Sequence, residues 1–354
     1  MHEAVHEGAL SRRGSCVFDR FGAKPHLLEP LGVRPERMAV AYLDGLVVIV
    51  DGDGNTIDFN AGADVLDVAL LDSTDATVAA VATPYGVAVS QLGVACARTA
   101  TLTGHDGRVT GVALFPVYTY DERQVLIASA DERGNVYRWG GRELRLLTSA
   151  RIHRKTVHTL RSSMLRGGLP IFITASDDRD IVLHDAYSEH VYARLSSHVG
   201  WIEQIRPIEC EGALKSIVVA DRVGIMVWDV DTQRIAWRFR GRPRTAVAAM
   251  LDRSGEVIIA AGTDQDIVLA RRNSIERLRL GDRVPLRAVA LSHVLGTPVL
   301  WTAATNRLEG YDLEGRPLHV AYELPAPVLQ LQSWTDTGGM LCTLEGGAIW
   351  SIRW

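Results

Sequence analysis

Ile127-Ala128-Ser129-Ala130-Asp131-Glu132-Arg133-Gly134-Asn135-Val136-Tyr137-Arg138-Trp139 decides how the whole chain is read. An apolar run, a turn of acidic, glycine and asparagine residues, and a second apolar run describe two antiparallel strands joined by a tight hairpin. The unit recurs in both directions. Turns of this kind lie at 43–45, 84–86, 131–134, 177–179, 221–224, 264–266, 305–307 and 345–347. These eight turns are spaced by roughly 40 to 47 residues. The flanking segments, such as 125–130, 171–176 and 256–261, are short and β-branched or apolar throughout, which marks strands buried on both faces. No window of a dozen residues carries a 3.6-residue period with caps at both ends, and even 156–160 continues as a β-branched run.

The expected fold is therefore all-β. Small sheets that cannot bury two faces alone must stack, and radial stacking gives a β-propeller of four-stranded blades. Eight blades are expected, with seven as the alternative, and residues 1–354 are expected to form one domain. The final unit, 325–354, supplies only three strands of its own before the chain stops at Trp354. An orphan strand-like stretch at about 15–21 is expected to complete that blade and close the ring.

Composition narrows the function classes. Hydrophobic residues make up 47% and charged residues 23%, and the formal net charge is −4, which excludes disorder and gives no footprint for nucleic acid or an anionic membrane. The four cysteines, Cys16, Cys96, Cys210 and Cys342, are far apart and form no zinc or redox spacing. The N-terminus lacks a signal-peptide pattern and apolar runs such as 46–50 are too short to span a membrane, so a cytoplasmic location is expected. Only Lys24, Lys155 and Lys215 are lysine among 38 basic residues; the rest are arginine. Codon usage in a GC-rich genome explains such a bias; a carboxylate-reading surface is the functional alternative.

The middle of the chain resembles the WD40 repeat family. Gly104-His105 followed by Ser129…Trp139, His153 followed by 175–185, and His198 followed by Val227-Trp228-Asp229 match the family's Gly-His start and Trp-Asp end. His105, His153 and His198 each precede a β-branched residue by four positions. The likeness covers 103–240; outside it Ala270 and Tyr311 stand at the tryptophan position, and His184 stands there in the fourth unit. The resemblance implies that His105, Trp139, His153, Asp178, His198 and Trp228 belong to buried hydrogen-bonded networks within blades. Asp178 and Asp264 fit the family's turn aspartate, whereas Arg133 and Arg222 occupy its place in the third and fifth units.

Catalytic and metal motifs are weak. The three aligned histidines read as structural rather than as ligands, and His158 should point away from His153. Asp51, Asp53, Asn55 and Asp58 resemble the start of a calcium loop, but the later positions of such a loop do not match, and a tight hairpin explains the pattern without metal. No P-loop, nucleophile elbow or zinc-protease motif occurs, and no cofactor is expected. By analogy with WD40 rings, the chain is expected to be a non-catalytic scaffold gripping a protein or peptide on its top face. Arg108, Arg133, Arg154, Trp201, Arg222 and Arg244 form the candidate surface, and its arginines favour an acidic partner. Thr156 and Ala246 are also expected to look toward the channel opening. The alternative function is a propeller enzyme or small-ligand binder with a polar site in the central channel.

Overall fold

A computed structural model describes residues 13–18, 25–30, 37–51, 53–72, 77–92, 99–118, 123–241, 243, 245, 247–263, 266–272, 274–278, 286–294, 296–333 and 339–353. These form eight antiparallel four-stranded sheets and no helix, arranged as an eight-bladed β-propeller. Seven of the blades are continuous in sequence: residues 25–60, 67–102, 109–151, 157–195, 202–240, 248–278 and 288–323, here blades 1 to 7. Blade 8 combines 328–353 with strand Arg13–Phe18. That first strand pairs antiparallel with Ile349–Arg353, Arg13 opposite Arg353 and Cys16 opposite Trp350, so the ring closes without a covalent bond. The strand lies slightly earlier than the 15–21 expected from sequence; residues 19–21 fall outside the described set. Among the described residues no helix is long and apolar enough to cross a membrane.

Residue pattern explains each blade. Second strands such as Val257–Gly262 are buried at every position, because a neighbouring blade covers each face. Fourth strands such as Arg145–Arg151 are largely exposed and arginine-flanked, as an outer edge must be. The first strands of neighbouring blades touch one another around the channel, blade 1 meeting blade 8 as the others meet in sequence. The core is accordingly distributed over the seams. Eight apolar clusters each join two adjacent blades, for example Ile171, Ile173 and Leu183 of blade 4 with Ile217, Met226 and Trp228 of blade 5. No blade has a core without its neighbour. At the closing seam the Tyr42 hydroxyl also donates to the Gly347 carbonyl, at 2.7 Å.

Pairing between second and third strands fixes the repeat alignment independently of sequence likeness. Trp139 lies opposite Ile127, His184 opposite Phe172, Trp228 opposite Ile217, Ala270 opposite Ile259 and Tyr311 opposite Leu300. These five residues occupy one structural position. Blade 7 drops the aromatic ring network there and buries Trp301 on its second strand instead, its indole N–H donating to Ser292 at 2.9 Å. Gly310 faces that indole; a Cβ there would stand 3.1 Å from the ring.

Candidate interaction face and central channel

The loop leading into each blade and the turn between its second and third strands share one end of the ring, and the three histidines sit in those leading loops. In blade 3, His105 Nε2 lies 2.7 Å from Ser129 Oγ, which also accepts the Trp139 indole N–H at 2.9 Å. In blade 4, His153 Nε2 lies 2.8 Å from Thr174 Oγ1, while Nδ1 meets both Asp178 oxygens at 3.1 Å. The ionised carboxylate accepts from Nδ1–H, so the Thr174 hydroxyl donates to Nε2. His105 has Arg133 where His153 has Asp178, and its Nδ1 is buried without a partner. In blade 5 both His198 nitrogens and the Trp228 indole nitrogen are buried without partners. Val219 occupies the register position of Ser129 and Thr174, so the hydroxyl that would serve both rings is missing.

Burial sets the charge state of these rings. Desolvation lowers the pKa of His105 and of His153, although Asp178 opposes it at His153, and pushes His198 down to about 4. His184, buried and beside the Arg138 guanidinium, falls to about 3; its Nδ1 therefore accepts from Arg138, at 3.0 Å. Burial works against the Asp178 carboxylate as well, but the N–H groups of Arg154 and Asp180 and the His153 ring outweigh it and hold the pKa low. Asp178, His153 and Thr174 have the order of an acid–base–nucleophile relay. Thr174 is 0% exposed, so this relay is closed to any substrate. His158 turns outward as expected, pairing with Asp177 at 2.9 Å.

On this face Asp131, Asp178 and Asp221 are held by their own turns. Asp131 accepts from the Arg133 and Asn135 N–H groups and from the Tyr137 hydroxyl, and Asp221 accepts from the Val223 and Gly224 N–H groups. Both are buried, and Asp178 is held inside its own turn. Arg108, Arg133, Arg154 and Arg179 point outward, and among the described residues their side chains enter no ion pair. The three turn carboxylates satisfy backbone donors, whereas Asp44, Asp106, Glu132 and Glu345 on the same loops are exposed, as the guanidiniums are. Trp201 and Arg222 are brought together: the guanidinium carbon lies 4.1 Å from the indole centroid, and Arg222 also pairs with Glu203 at 3.3 Å. Trp201 is 44% exposed, Val199 65% and Val223 43%. Sequence reasoning chose Trp201 and Arg222 but missed the exposed Val199 and Val223, two residues before the one and next to the other. Thr156 is spent on blade 3, its hydroxyl donating to the Glu132 carbonyl at 3.1 Å. Arg244, Ala246 and Asp264 lie outside the described residues.

Inside the channel, side chains of the first strands bond to other blades. Asp67 accepts from the Val112 N–H at 3.0 Å and from Arg161 at 3.1 Å; Gln204 accepts from the Val247 N–H at 2.9 Å. Arg206 Nε donates to the Val247 carbonyl at 3.3 Å, and Ser333 to the Leu291 carbonyl at 2.7 Å. Beside them a cavity of about 50 Å³ opens against blades 6, 7 and 8.

The calcium-like stretch is a hairpin turn. Asp51 Oδ1 accepts from the Asp53 and Asn55 N–H groups, at 2.9 and 2.8 Å, and Oδ2 from the Asn55 amide. Asp58 stands on the following strand, opposite Val48. The same aspartate turn recurs at Asp131, Asp252 and Asp312, so at 51–55 it is a device of the fold. No group of three or more metal-binding side chains is present among the described residues.

No protein-family model matches the chain, and no curated protein matches it. Among solved structures, the crystal structure of the computationally designed Ika8 protein is similar, with a TM-score of 0.65 over 94% of this chain and 98% of that one. Identity is 16%, so the likeness speaks for the propeller fold alone.

Proposed function

We propose that the chain is a WD40-type propeller acting as a non-catalytic scaffold, which binds an acidic protein or peptide segment on the face carrying Arg108, Arg133, Arg154, Trp201 and Arg222. One observation carries the reading: an exposed indole stacked under a guanidinium, with exposed Val199 and Val223 close by in sequence. An exposed aromatic–arginine pair is the composition of a binding hot spot. Outward arginines add steering for a carboxylate-rich partner even though the net charge is −4. The histidine–hydroxyl networks of blades 3 and 4 support the WD40 assignment, and cytoplasmic residence belongs to the same proposal.

The test uses three labelled peptides of equal length: an acidic one with a central leucine, its lysine counterpart, and an acidic one lacking the leucine. Fluorescence anisotropy should show the first binding most tightly, weakening with salt, and at least tenfold weaker for Trp201→Ala/Arg222→Ala. Equal binding of the lysine peptide, or unchanged binding by the double variant, overturns the assignment.

A further inference from the structure

The large apolar side chains exposed on the face that carries the leading loops fall into two groups, and the charge around each differs. One group contains Trp201 of blade 5. Its leading loop, 196–201, is tied to the turn of blade 4 by the Ser196 hydroxyl, which donates to Asp180 at 2.6 Å. Arg154, Lys155 and Arg179 are exposed on the loops of blade 4 beside it. The acids of that blade are spent locally, Asp177 on His158, Asp178 on His153 and Asp180 on Arg194.

The other group stands across the channel mouth. Tyr85, in the turn of blade 2, is 80% exposed, and Leu43, in the turn of blade 1, is 53% exposed. Each turn is backed by the loop leading to the next blade: the Ala61 N–H donates to the Gly45 carbonyl at 2.8 Å, and Gly86 abuts the Leu102 carbonyl. Those two loops expose Asp64 and Asp106, and Asp44 is exposed next to Leu43. Among the described residues no cation lies in the turns of blades 1 and 2 or in the loop between them. Blade 3 mixes both signs, Asp106 and Glu132 with Arg108 and Arg133, and on blades 7 and 8 Arg287 pairs with Glu345. The face is thus basic around the Trp201 indole and acidic around the Tyr85 ring. Trp201 already has the Arg222 guanidinium against it, whereas among the described residues no cation covers Tyr85.

We propose that the partner segment is bipolar and arches over the channel mouth: its acidic stretch lies on blades 4 and 5, and a basic stretch docks an arginine and an apolar side chain on Tyr85 and Leu43. The inference rests on the scaffold reading above and adds a second station to it. Charge complementarity selects this occupant, because a uniformly acidic segment would meet Asp44, Asp64 and Asp106 at its far end. A guanidinium brought by the partner satisfies the bare tyrosine ring and the neighbouring carboxylates together. Holding one segment at both stations also makes the second contact intramolecular.

Three labelled peptides test this by fluorescence anisotropy on the full chain: the acidic leucine peptide alone, the same joined to an Arg-Leu-Arg cassette, and the same joined to Gln-Leu-Gln. Proline-rich linkers of about 4, 8 and 16 residues, with the cassette at either end, bracket the span. At one linker length the arginine peptide should bind about fivefold more tightly, or better, than both controls. Tyr85→Ala/Leu43→Ser changes two exposed turn positions; it should abolish that gain and leave the acidic peptide unchanged. Trp201→Ala/Arg222→Ala should weaken all three peptides, and melting curves confirm that both variants remain folded. If no linker gives the arginine peptide an advantage, or the advantage survives Tyr85→Ala/Leu43→Ser, the second station is wrong while the scaffold reading stands. An equal gain with the glutamine cassette removes the charge assignment. If the acidic peptide does not bind, or ignores Trp201→Ala/Arg222→Ala, the scaffold reading falls and this inference falls with it.

Discussion

Blades 4 and 5 have the same four strands in the same order, and each buries a histidine under its leading loop, yet the two histidines live in opposite circumstances. His153 is bonded at both nitrogens, to Asp178 and to Thr174. His198 is bonded at neither, and the Trp228 indole N–H beside it is orphaned as well. One methyl-for-hydroxyl exchange on the second strand, Val219 in place of threonine, accounts for one His198 nitrogen and for the Trp228 indole; the other His198 nitrogen lacks a counterpart of Asp178. The hydroxyl is the keystone because it alone reaches histidine and tryptophan together, as Ser129 does in blade 3. Fold identity survives its loss since the seam between blades 4 and 5 keeps its apolar cluster. A propeller of this kind is held by its seams, and the polar networks tune individual blades.

Acid should separate the two blades most strongly. An unfolded histidine titrates near 6.5, whereas burial holds folded His198 at about 4. Below pH 6.5 the unfolded chain therefore binds the proton first, and stability falls with pH until the folded ring titrates near 4. The gap corresponds to about 3 kcal/mol. His184, at about 3, adds a loss of the same sign that continues to lower pH. Urea unfolding at pH 7.5 and 4.5 should show His198→Phe nearly as stable as wild type at the higher pH, with the acid loss smaller by about 3 kcal/mol. His153→Phe should instead lose stability already at pH 7.5, because it strands Asp178 and Thr174. Equal behaviour of the two variants would erase the distinction between the blades.

Two substitutions test the hydroxyl directly. Thr174→Val keeps the side-chain shape and leaves the buried His153 Nε2 without a donor, which should cost about 2 kcal/mol in urea unfolding. Val219→Thr performs the reverse in blade 5, offering a partner to His198 and to the Trp228 indole. It should stabilise by about 1 kcal/mol, less than the first variant loses, because the threonine hydroxyl must itself be desolvated. A destabilised Val219→Thr would mean that blade 5 is built around an apolar seam rather than lacking a bond.

Much of this contrast was written in the residues. The turn spacing favoured eight blades over seven, and the histidine and Trp-Asp marks placed His105, His153 and His198 in the leading loops. The Ser129, Thr174, Val219 column could also have been read, once the second strands were aligned by their turns. Other features depend on closure of the ring. The Arg138–His184 contact joins residues from adjacent blades, and nothing local announces that an arginine 1% exposed meets a neutral histidine there. Likewise, the channel cavity combines residues of four blades, and the Trp201–Arg222 contact joins a leading loop to a turn some twenty residues later.

The smallest effect concerns the turn above His153. Arg179 holds a left-handed φ of 72°, and Gly134 holds the matching place in blade 3 with a φ of 90°. Both N–H groups close the same turn, Arg179 onto the Ser176 carbonyl and Gly134 onto that of Asp131. The left-handed conformation costs a residue with a Cβ about 1–2 kcal/mol. Glycine removes that cost but loses about 0.5–1 kcal/mol through its freer unfolded state. Arg179→Gly should therefore stabilise by less than about 1 kcal/mol. Arg179→Asn should fall between the two, since asparagine tolerates the left-handed region better than other residues with a Cβ. Thermal unfolding in that order, glycine above asparagine above wild type, would show that blade 4 keeps its His153–Asp178 network despite a strained turn. The reverse order would mean that the arginine side chain itself braces the turn, and the two blades would then differ in their turns as well as in their hydroxyls.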